Sequence, residues 1–411
     1  MKPPTRICFE HVGVESAPAP GPPVDTVRRA VDACDSVAEF LGAAKAAAEP
    51  VVLLVNDAYR ATMSTAALQS LAEFGQSQRC LPRFRALVAT GTHTLSPGER
   101  RSFEVDVILR GGLPVEDVAW HDADRTERLG RGTTVRVHPW VQAGRFLLPI
   151  GSVEPHYFAG MTGAHKTATI GVMSRSDIER NHRGAMAADS RVLRLAGNPV
   201  HEGIVGVLLA YGAAGKRVLA INEVVAEGKL LAAAVGDPLE SLAKLLPVAR
   251  AVFTYSVEQP FDVVRLRVPP PLGRSFYQAD KALRNNEAAV RDGGCLLLEA
   301  ACPEGVGQDA FLRLLRLAGD YAGAVRIVEA QGYHLGDHKA VNLRHLTDRA
   351  RRGVHVALVG SAVSPDDAGI LDVHLHPSAE SAMEWAADVV PAPLRRGLIV
   401  EDAGAVCAAP K

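Results

Sequence analysis

Short apolar runs alternate with segments of helical periodicity along most of the chain. VVLLVN at 51–56 and RALVATG at 85–91 are apolar runs of strand length, and residues 64–74 between them have helical spacing. Strand–helix–strand order is the signature of a βαβ unit and therefore of a parallel sheet. The same patterns predict a loop at 14–25, a helix at 27–48, and a hairpin between 218–225 and 230–236.

The alternation starts again after a stretch near 255–273 that contains three successive prolines, Pro269 to Pro271. Proline runs are stiff and extended, so we interpret this stretch as a domain connector or a rigid wall of a cleft. Beyond it, helices are expected from Phe276 and at 309–319 and 379–390, with strands at 295–301 and 355–361. The predicted fold is therefore α/β, with two α/β domains, mostly parallel sheets and an interdomain active-site cleft. The domains are placed at residues 1–254 and 255–411.

Composition narrows the class of protein. The chain has 411 residues, 47% apolar content and a net charge of −1, which indicates a globular protein without a basic surface for nucleic acid. The six cysteines match no zinc-binding spacing, and no apolar run is long enough to span a membrane. The N-terminus lacks the apolar region of a secretory signal, so we expect a cytoplasmic protein. The sequence leaves the oligomeric state open.

The segment 150–186 has the highest density of candidate chemistry. It contains Glu154-Pro155-His156, then the small-residue loop 160–164 with His165, Lys166 and Thr167, and finally Asn181-His182 in a predicted helix. Glycines at a strand-to-helix switch let backbone N–H groups approach an anion. The spacing is neither that of a P-loop nor that of a tight zinc motif. The alternative is a glycine-rich turn with structural histidines, as we expect for the isolated His121 and His138.

Polar side chains also follow the predicted strands. Asp57 and Arg60 come directly after the first strand, and His93 follows the second. Alone, Asp57 would be interpreted as a helix cap and Arg60 as a surface charge, but carboxyl ends of parallel strands meet at one edge of a sheet. Gln278 and Lys281 are three residues apart and so share one helical face. Their alternative interpretation is an exposed amide and a solvated lysine.

These motifs together resemble those of the lactate racemase family. The shared pattern is E-P-H, then G-x-x-G-x-x-K, then N-H, preceded by D-x-x-R and G-x-H and followed by a Gln/Lys pair. The resemblance runs from about Asp57 to Lys281. It implies a racemase or epimerase of a 2-hydroxy acid that works by reversible hydride transfer through a keto intermediate. The implied cofactor is nickel with pyridinium-3,5-bisthiocarboxylic acid mononucleotide, the nickel-pincer nucleotide, which also implies cofactor-synthesis machinery as a partner.

The resemblance assigns a role to each matching residue. Lys166 would tether the nucleotide and His182 would bind nickel. His93 and His156 would be the acid/base pair, whose imidazoles titrate near neutral pH. The remaining assignments are Arg60, Gln278 and Lys281 for substrate, Asp57 to orient a neighbouring group, and Gly160, Thr162, Gly163 and Thr167 for the nucleotide phosphate.

One region departs from the family pattern. Members have a tryptophan in the C-terminal domain, where this chain has Gly336 to Asn342 with His338 and Lys339. A lysine there suits a larger or more anionic hydroxy acid than lactate. His334 and His338 would form a metal pair only in a helix, and the flanking glycines favour a loop. Two other functions stay open: a hydro-lyase or hydrolase that uses zinc or iron, and a nucleotide- or sugar-acid-binding protein.

Overall fold

The computed structural model describes residues 7–15, 19–390 and 394–410. The strands in these ranges are β1 (Cys8–Val12), β2 (Val51–Asn56), β3 (Phe84–Ala89), β4 (Val115–Trp120), β5 (Glu127–Arg128), β6 (Arg136–Val137), β7 (Phe146–Ser152), β8 (Pro155–His156), β9 (Gly160–Met161), β10 (Arg217–Val218), β11 (Ala220–Ala226), β12 (Lys229–Gly236), β13 (Thr254–Val257), β14 (Phe261–Arg267), β15 (Val290–Glu299), β16 (His355–Val359), β17 (His374–His376), β18 (Arg396–Val400) and β19 (Cys407–Pro410). The helices are α1 (Pro23–Asp32), α2 (Ser36–Ala46), α3 (Ser64–Ser77), α4 (Pro97–Phe103), α5 (Pro139–Ala143), α6 (Ala164–Thr167), α7 (Arg175–Arg183), α8 (Pro199–Ala213), α9 (Pro238–Phe253), α10 (Phe276–Asn286), α11 (Asp309–Leu317), α12 (Tyr321–Gln331), α13 (Asp337–Thr347), α14 (Pro365–Leu371) and α15 (Ala379–Val389).

The first large sheet has the strand order β12-β11-β7-β2-β3-β4, with β10 also paired to β7. Every pairing in it is parallel except the predicted hairpin of β11 with β12. β2 is almost wholly buried, as a continuous run of Val and Leu in a central parallel strand must be. Strands β2, β3 and β7 are neighbours, so the loops at their carboxyl ends meet along one edge.

The second large sheet has the order β1-β18-β14-β15-β16-β17, and all its pairings are parallel. Its central strands carry the apolar runs that the sequence indicated, and α10 and α11 pack their buried faces into its core. The α/β class with mostly parallel sheets is confirmed. The division at residue 254 stays a prediction, and β1 from the start of the described chain lies in the second sheet.

Local structure differs from expectation in three places. The helix predicted at 27–48 is two helices, because a break after Asp32 lets Val27 and Phe40 reach one core. α1 begins at Pro23, inside the predicted loop, where proline suits the first turn; residues 16–18 of that loop lie outside the described ranges. Pro269 to Pro271 follow β14, so they belong to a loop of the second sheet instead of connecting the domains.

Within the described ranges, no helix is long and apolar enough to cross a membrane.

Candidate active site

A cavity of about 160 Å³ lies where loops of the first sheet face α10 and α13. Of the residues to which the resemblance assigned a role, those lining it are Asp57, Arg60, His93, His156, Thr162, Gly163, Lys166, Thr167, His182, Gln278 and Lys281; His338 and Lys339, from the segment that departs from the family pattern, line it as well. Both halves of the chain therefore contribute to one cavity. Gly160 is the exception, as described below.

His93 and Asp57 form one pair in this cavity. His93 Nδ1 lies 2.9 Å from Asp57 Oδ2, and Asp57 is buried while the His93 side chain is 39% exposed. An ionised carboxylate can only accept, so Nδ1 donates the proton and Nε2 keeps its lone pair. Asp57 Oδ1 also accepts from the Tyr59 backbone N–H, which fixes the carboxylate. Asp57 is thus an orienting residue for His93, and a simple helix cap does not describe it.

His156 and Lys166 form the second pair, and both are buried. Lys166 Nζ lies 2.7 Å from His156 Nε2, while His156 Nδ1 accepts a hydrogen bond from the Ala159 backbone N–H. Neutral His156 therefore carries its proton on Nε2 and donates it to an uncharged Lys166 amine. Burial, reinforced by the Arg60 and Lys281 cations, holds the pKa of Lys166 well below its usual value. Burial also lowers the pKa of His156, with Lys166 the next cause.

The side chains expected to bind the substrate differ in whether another protein group already holds them. Arg60 Nη1 donates to Glu154 Oε1 at 2.7 Å, so one carboxylate already holds this guanidinium in place. The Lys281 ammonium and the Gln278 amide have no hydrogen-bond or ion-pair partner among the residues that the structure describes. Burial, followed by the Arg60 and Lys339 charges, lowers the pKa of Lys281 to about 7. These two α10 side chains are therefore free to meet a ligand.

Only part of the small-residue loop lines the cavity. Gly163 lines it, and the Thr167 hydroxyl donates to Asn56 Oδ1 at 2.8 Å. The Thr162 hydroxyl donates to the Ser152 carbonyl at 2.6 Å, which closes the loop against β7. Gly160 does not line the cavity: its φ is +79°, and a Cβ there would lie 2.0 Å from the Arg194 carbonyl oxygen. Glycine is required at position 160 because a side chain there would collide with this carbonyl.

His182 lies on α7 with one ring nitrogen available. Its Nδ1 is 3.3 Å from Asn181 Oδ1, which leaves Nε2 for a group in the cavity. Burial lowers the pKa of His182 to about 3, so the neutral imidazole that a metal requires is the stable form. The Phe158 ring lies between three imidazoles, with its centroid 4.5 Å from His156, 4.9 Å from His182 and 5.0 Å from His338.

The Gly336–Asn342 segment is helical from Asp337, so the expected loop is wrong there. Gly336 takes a left-handed conformation and caps α13, which turns His338 into the cavity lining. Both His338 nitrogens are engaged, Nε2 with Tyr157 Oη at 3.1 Å and Nδ1 with Tyr333 Oη at 2.7 Å. His338 is therefore not available to form a metal pair with His334.

Lys339 is buried and committed to neighbouring groups. Its ammonium donates to the Tyr277 carbonyl, lies 3.6 Å from Asp280 Oδ2, and stands over the Tyr277 ring at 4.2 Å. Burial lowers its pKa, while Asp280 opposes that shift. The expectation that Lys339 favours a more anionic substrate has no support in these contacts.

Two histidines outside the cavity have structural roles. His121 Nε2 hydrogen-bonds to the Met173 carbonyl at 2.9 Å, and His138 Nδ1 caps α5 by accepting from the Trp140 N–H. Across the described ranges, no group of three or more His, Cys, Asp or Glu side chains could hold a metal ion.

Comparison with known proteins gives a match to one family of enzymes. Residues 3–193 match the model of the lactate racemase N-terminal domain. Lactate racemase of Thermoanaerobacterium thermosaccharolyticum is 24% identical over 291 residues, which are 69% of this chain and 67% of that protein. The chain is thus similar to lactate racemases, most directly over its N-terminal half.

A second relative matches a shorter part of the chain. Lactate racemase of Lactiplantibacillus plantarum is 24% identical over 234 residues, which are 56% of this chain and only 54% of that protein. Both relatives carry the name of a racemase, which is a kind of isomerase.

Solved structures show the same fold. The lactate racemase apoprotein of T. thermosaccharolyticum superposes with a TM-score of 0.83 over 99% of this chain and 96% of that chain, at 20% identity. A Thermotoga maritima protein matches with a TM-score of 0.69 over 94% and 98% of the two chains, at 15% identity. The lactate racemase fold therefore extends through the C-terminal half, beyond the part that the family model matches.

Sequence reasoning missed several residues of the site. Glu154 was noted only as part of a motif, although it holds Arg60. Tyr157 and Phe158 follow His156 directly and line the cavity. Glu223 is an acidic residue in the largely apolar strand β11, and this signal in the sequence could have revealed it. Its Oε2 accepts a hydrogen bond from the Met63 N–H at 2.7 Å, and burial raises its pKa to about 7. It thereby anchors the end of the loop that carries Asp57 and Arg60.

Proposed function

We propose that this protein racemises or epimerises a 2-hydroxy acid with the nickel-pincer nucleotide as its cofactor. The observation that carries the proposal is the convergence of His93, His156, Lys166 and His182 on one cavity. The relatives are named lactate racemases, which supplies the reaction class.

The protein residues fit this cofactor. An uncharged amine is required to form a covalent tether, and the hydrogen bonds around Lys166 favour that form. His182 presents one free imidazole nitrogen, which suits a metal whose other donors belong to the nucleotide. When bound, the cofactor would supply a hydride acceptor, a function that protein side chains lack.

The chain itself would position the substrate and move protons. Lys281 and Gln278 would bind the C1 carboxylate, with Arg60 held beside them by Glu154. His93, with Nε2 free and Asp57 behind it, is poised to take the C2 hydroxyl proton. His156, in the second pair, would act as the acid or base for the other enantiomer. It would become available for this role once the Lys166 amine that it contacts had formed the tether.

The alternative of a zinc or iron hydro-lyase has less support. Such enzymes commonly hold their metal with three protein ligands, and the described residues offer no such group. A non-catalytic binding protein would need no paired imidazoles next to a carboxylate and an amine.

The test uses protein made in a host that also produces the cofactor. Intact mass should show an addition at Lys166, and metal analysis should show nickel. In D₂O the holoenzyme should then convert one enantiomer of a 2-hydroxy acid to the other without deuterium at C2, since a hydride returns to the same carbon. Racemisation with solvent deuterium at C2, or an unsaturated product, would refute the proposal.

A further inference from the structure

A second and larger cavity adjoins the first. It measures about 300 Å³, and Arg60, His156, Tyr157 and Lys281 line both cavities. A substrate whose carboxylate lies at Lys281 and whose C2 lies between the imidazoles could therefore extend its remaining carbons into this space. We call it the side-chain cavity. A methyl group, the side chain of lactate, would leave most of it empty.

One wall of the side-chain cavity is apolar and rigid. It is formed by Pro269, Pro270, Pro271 and Leu272 from the loop after β14, and by Ala405 near the end of the chain. The proline run is the cleft wall that the sequence suggested as one of its two interpretations. Because these side chains are short or fixed, the wall gives shape to the cavity and offers no group that can change its charge.

The other wall presents hydrogen-bond acceptors that have no donor. Asn285 is 3% exposed, and its Nδ2 donates to the Gly404 carbonyl at 3.0 Å, which turns Oδ1 the other way. Oδ1 has no partner within the described part of the chain. Asp402 also lines the cavity, and no hydrogen bond to its carboxylate is found among the described residues. A buried acceptor without a donor costs free energy, so Asn285 Oδ1 suits a ligand O–H group. The Asp402 carboxylate is only partly buried, and its oxygens can also accept from ligand hydroxyls.

The charges argue against a second carboxylate on the substrate. Lys339 is turned to Asp280 and the Tyr277 carbonyl and does not line the side-chain cavity. The cations that do line it are Arg60 and Lys281, at its junction with the first cavity. Asp402, which also lines the side-chain cavity, would repel an anion.

We propose that the side-chain cavity binds the hydroxylated carbon chain of a 2-hydroxy acid longer than lactate, that is, a polyhydroxy acid. This inference rests on the proposed function for the position of C1 and C2. The prolines would pack against the carbon backbone, and Asn285 and Asp402 would accept hydrogen bonds from the hydroxyl groups.

The direct test compares three acids on the holoenzyme: lactate, 2-hydroxyhexanoate and gluconate, the last as a six-carbon polyhydroxy probe. We expect kcat/KM for gluconate to exceed that for 2-hydroxyhexanoate by about 10-fold or more, since a site built for hydroxyls rejects the analogue without them. Equal or faster turnover of 2-hydroxyhexanoate would overturn the inference. Turnover of lactate or 2-hydroxyhexanoate without turnover of gluconate would overturn it while leaving the proposed function intact.

Binding by calorimetry separates the two proposals further. If no acid is turned over by cofactor-loaded protein, the proposed function fails. Tighter binding of gluconate than of 2-hydroxyhexanoate would then still support the side-chain cavity, and equal binding of the two would overturn it.

Asp402→Asn provides the matched variant, since Asp402 has a φ of +47° and asparagine tolerates this conformation. We expect the gluconate to 2-hydroxyhexanoate ratio to fall about 10-fold, the effect of losing a hydrogen bond to a charged acceptor. Asp372→Asn is the control, because Asp372 has a φ of +61°, is exposed and lines neither cavity. An unchanged ratio in Asp402→Asn would count against the proposal. If that variant does not fold, Ala405→Leu, which fills the cavity, should lower the ratio of gluconate to lactate turnover instead.

Discussion

His93 and His156 line the same cavity but have opposite electrostatic surroundings. His93 is partly exposed and is held by the Asp57 carboxylate, whereas His156 is buried next to the Lys166 amine, with Arg60 and Lys281 nearby. The resemblance assigned both to the same acid/base role. The comparison teaches that two imidazoles with one assigned role can have different neighbours, since a carboxylate positions His93 while His156 donates its N–H to an amine.

The difference also connects cofactor loading to acid/base chemistry. The amine that accepts the His156 proton is the one we propose as the tether. A covalent tether at Lys166 would remove this amine as a strong hydrogen-bond acceptor, and His156 would then be released from this partner. Each prediction below changes one side of the comparison.

The largest effect is expected from Lys166→Ala, which removes the amine from the buried pair. The variant should show no added mass after expression with the cofactor machinery, and racemisation should fall to the background rate. Lys244→Ala is the control, because Lys244 is exposed on α9. Retention of a covalently added nucleotide by Lys166→Ala would contradict the tether.

Substituting each imidazole tests whether both are needed. His93→Gln and His156→Gln should each lower kcat by about 10²–10⁴, the usual contribution of a positioned acid or base. Polarimetry from both pure enantiomers gives the two directions separately. An unchanged kcat in either variant would remove that histidine from the chemistry.

Asp57→Asn is expected to have a smaller effect, because it keeps His93 and changes only its orientation. An amide can donate to Nδ1, which favours the tautomer with the proton on Nε2 and hides the lone pair from the substrate. We expect kcat to fall about 10- to 100-fold, as for other second-layer partners of a functional histidine. The thermal unfolding midpoint serves as the control for folding. An increase in KM with kcat unchanged would assign Asp57 to substrate binding instead.

The smallest effect is expected in the pH dependence of KM, which we attribute to the Lys281 ammonium. The pKa of Lys281 is about 7, so the ammonium is charged below pH 7 and loses its charge as the pH rises. KM for a 2-hydroxy acid should therefore increase above pH 7, by at most about tenfold per pH unit. Lys281→Arg should flatten this profile, since arginine stays charged. A rise in KM that persists in Lys281→Arg would point to another titrating group.

Much of the fold could be predicted because its central strands are buried on both faces. β2 is an apolar run from Val51 to Val55, and the second half of β15 is another, from Cys295 to Leu298. The position of β1 could not be predicted, since its sequence is short, half exposed and distant in the chain from its partner β18. Pairing over such a separation depends on the whole fold and leaves no local pattern.

The site could be predicted as far as strand ends define it. Asp57, His93 and His156 lie just after the carboxyl ends of β2, β3 and β7. These strands are neighbours in one sheet, so topology alone brings the three side chains together. The partners of Arg60 and Lys339 could not be predicted, because Glu154 and Asp280 meet them through packing. The role of Gly160 also depended on a carbonyl more than thirty residues away in the chain.

The membership of β1 in the second sheet has a mechanical consequence. As far as the described residues trace it, the backbone passes from one sheet to the other twice, between Val12 and Pro23 and again between Phe253 and Phe261. The two sheets are thus joined by two covalent crossings and not by one. Any movement of one sheet relative to the other would have to be accommodated by the backbone at both places, which limits the movement more than a single connector would.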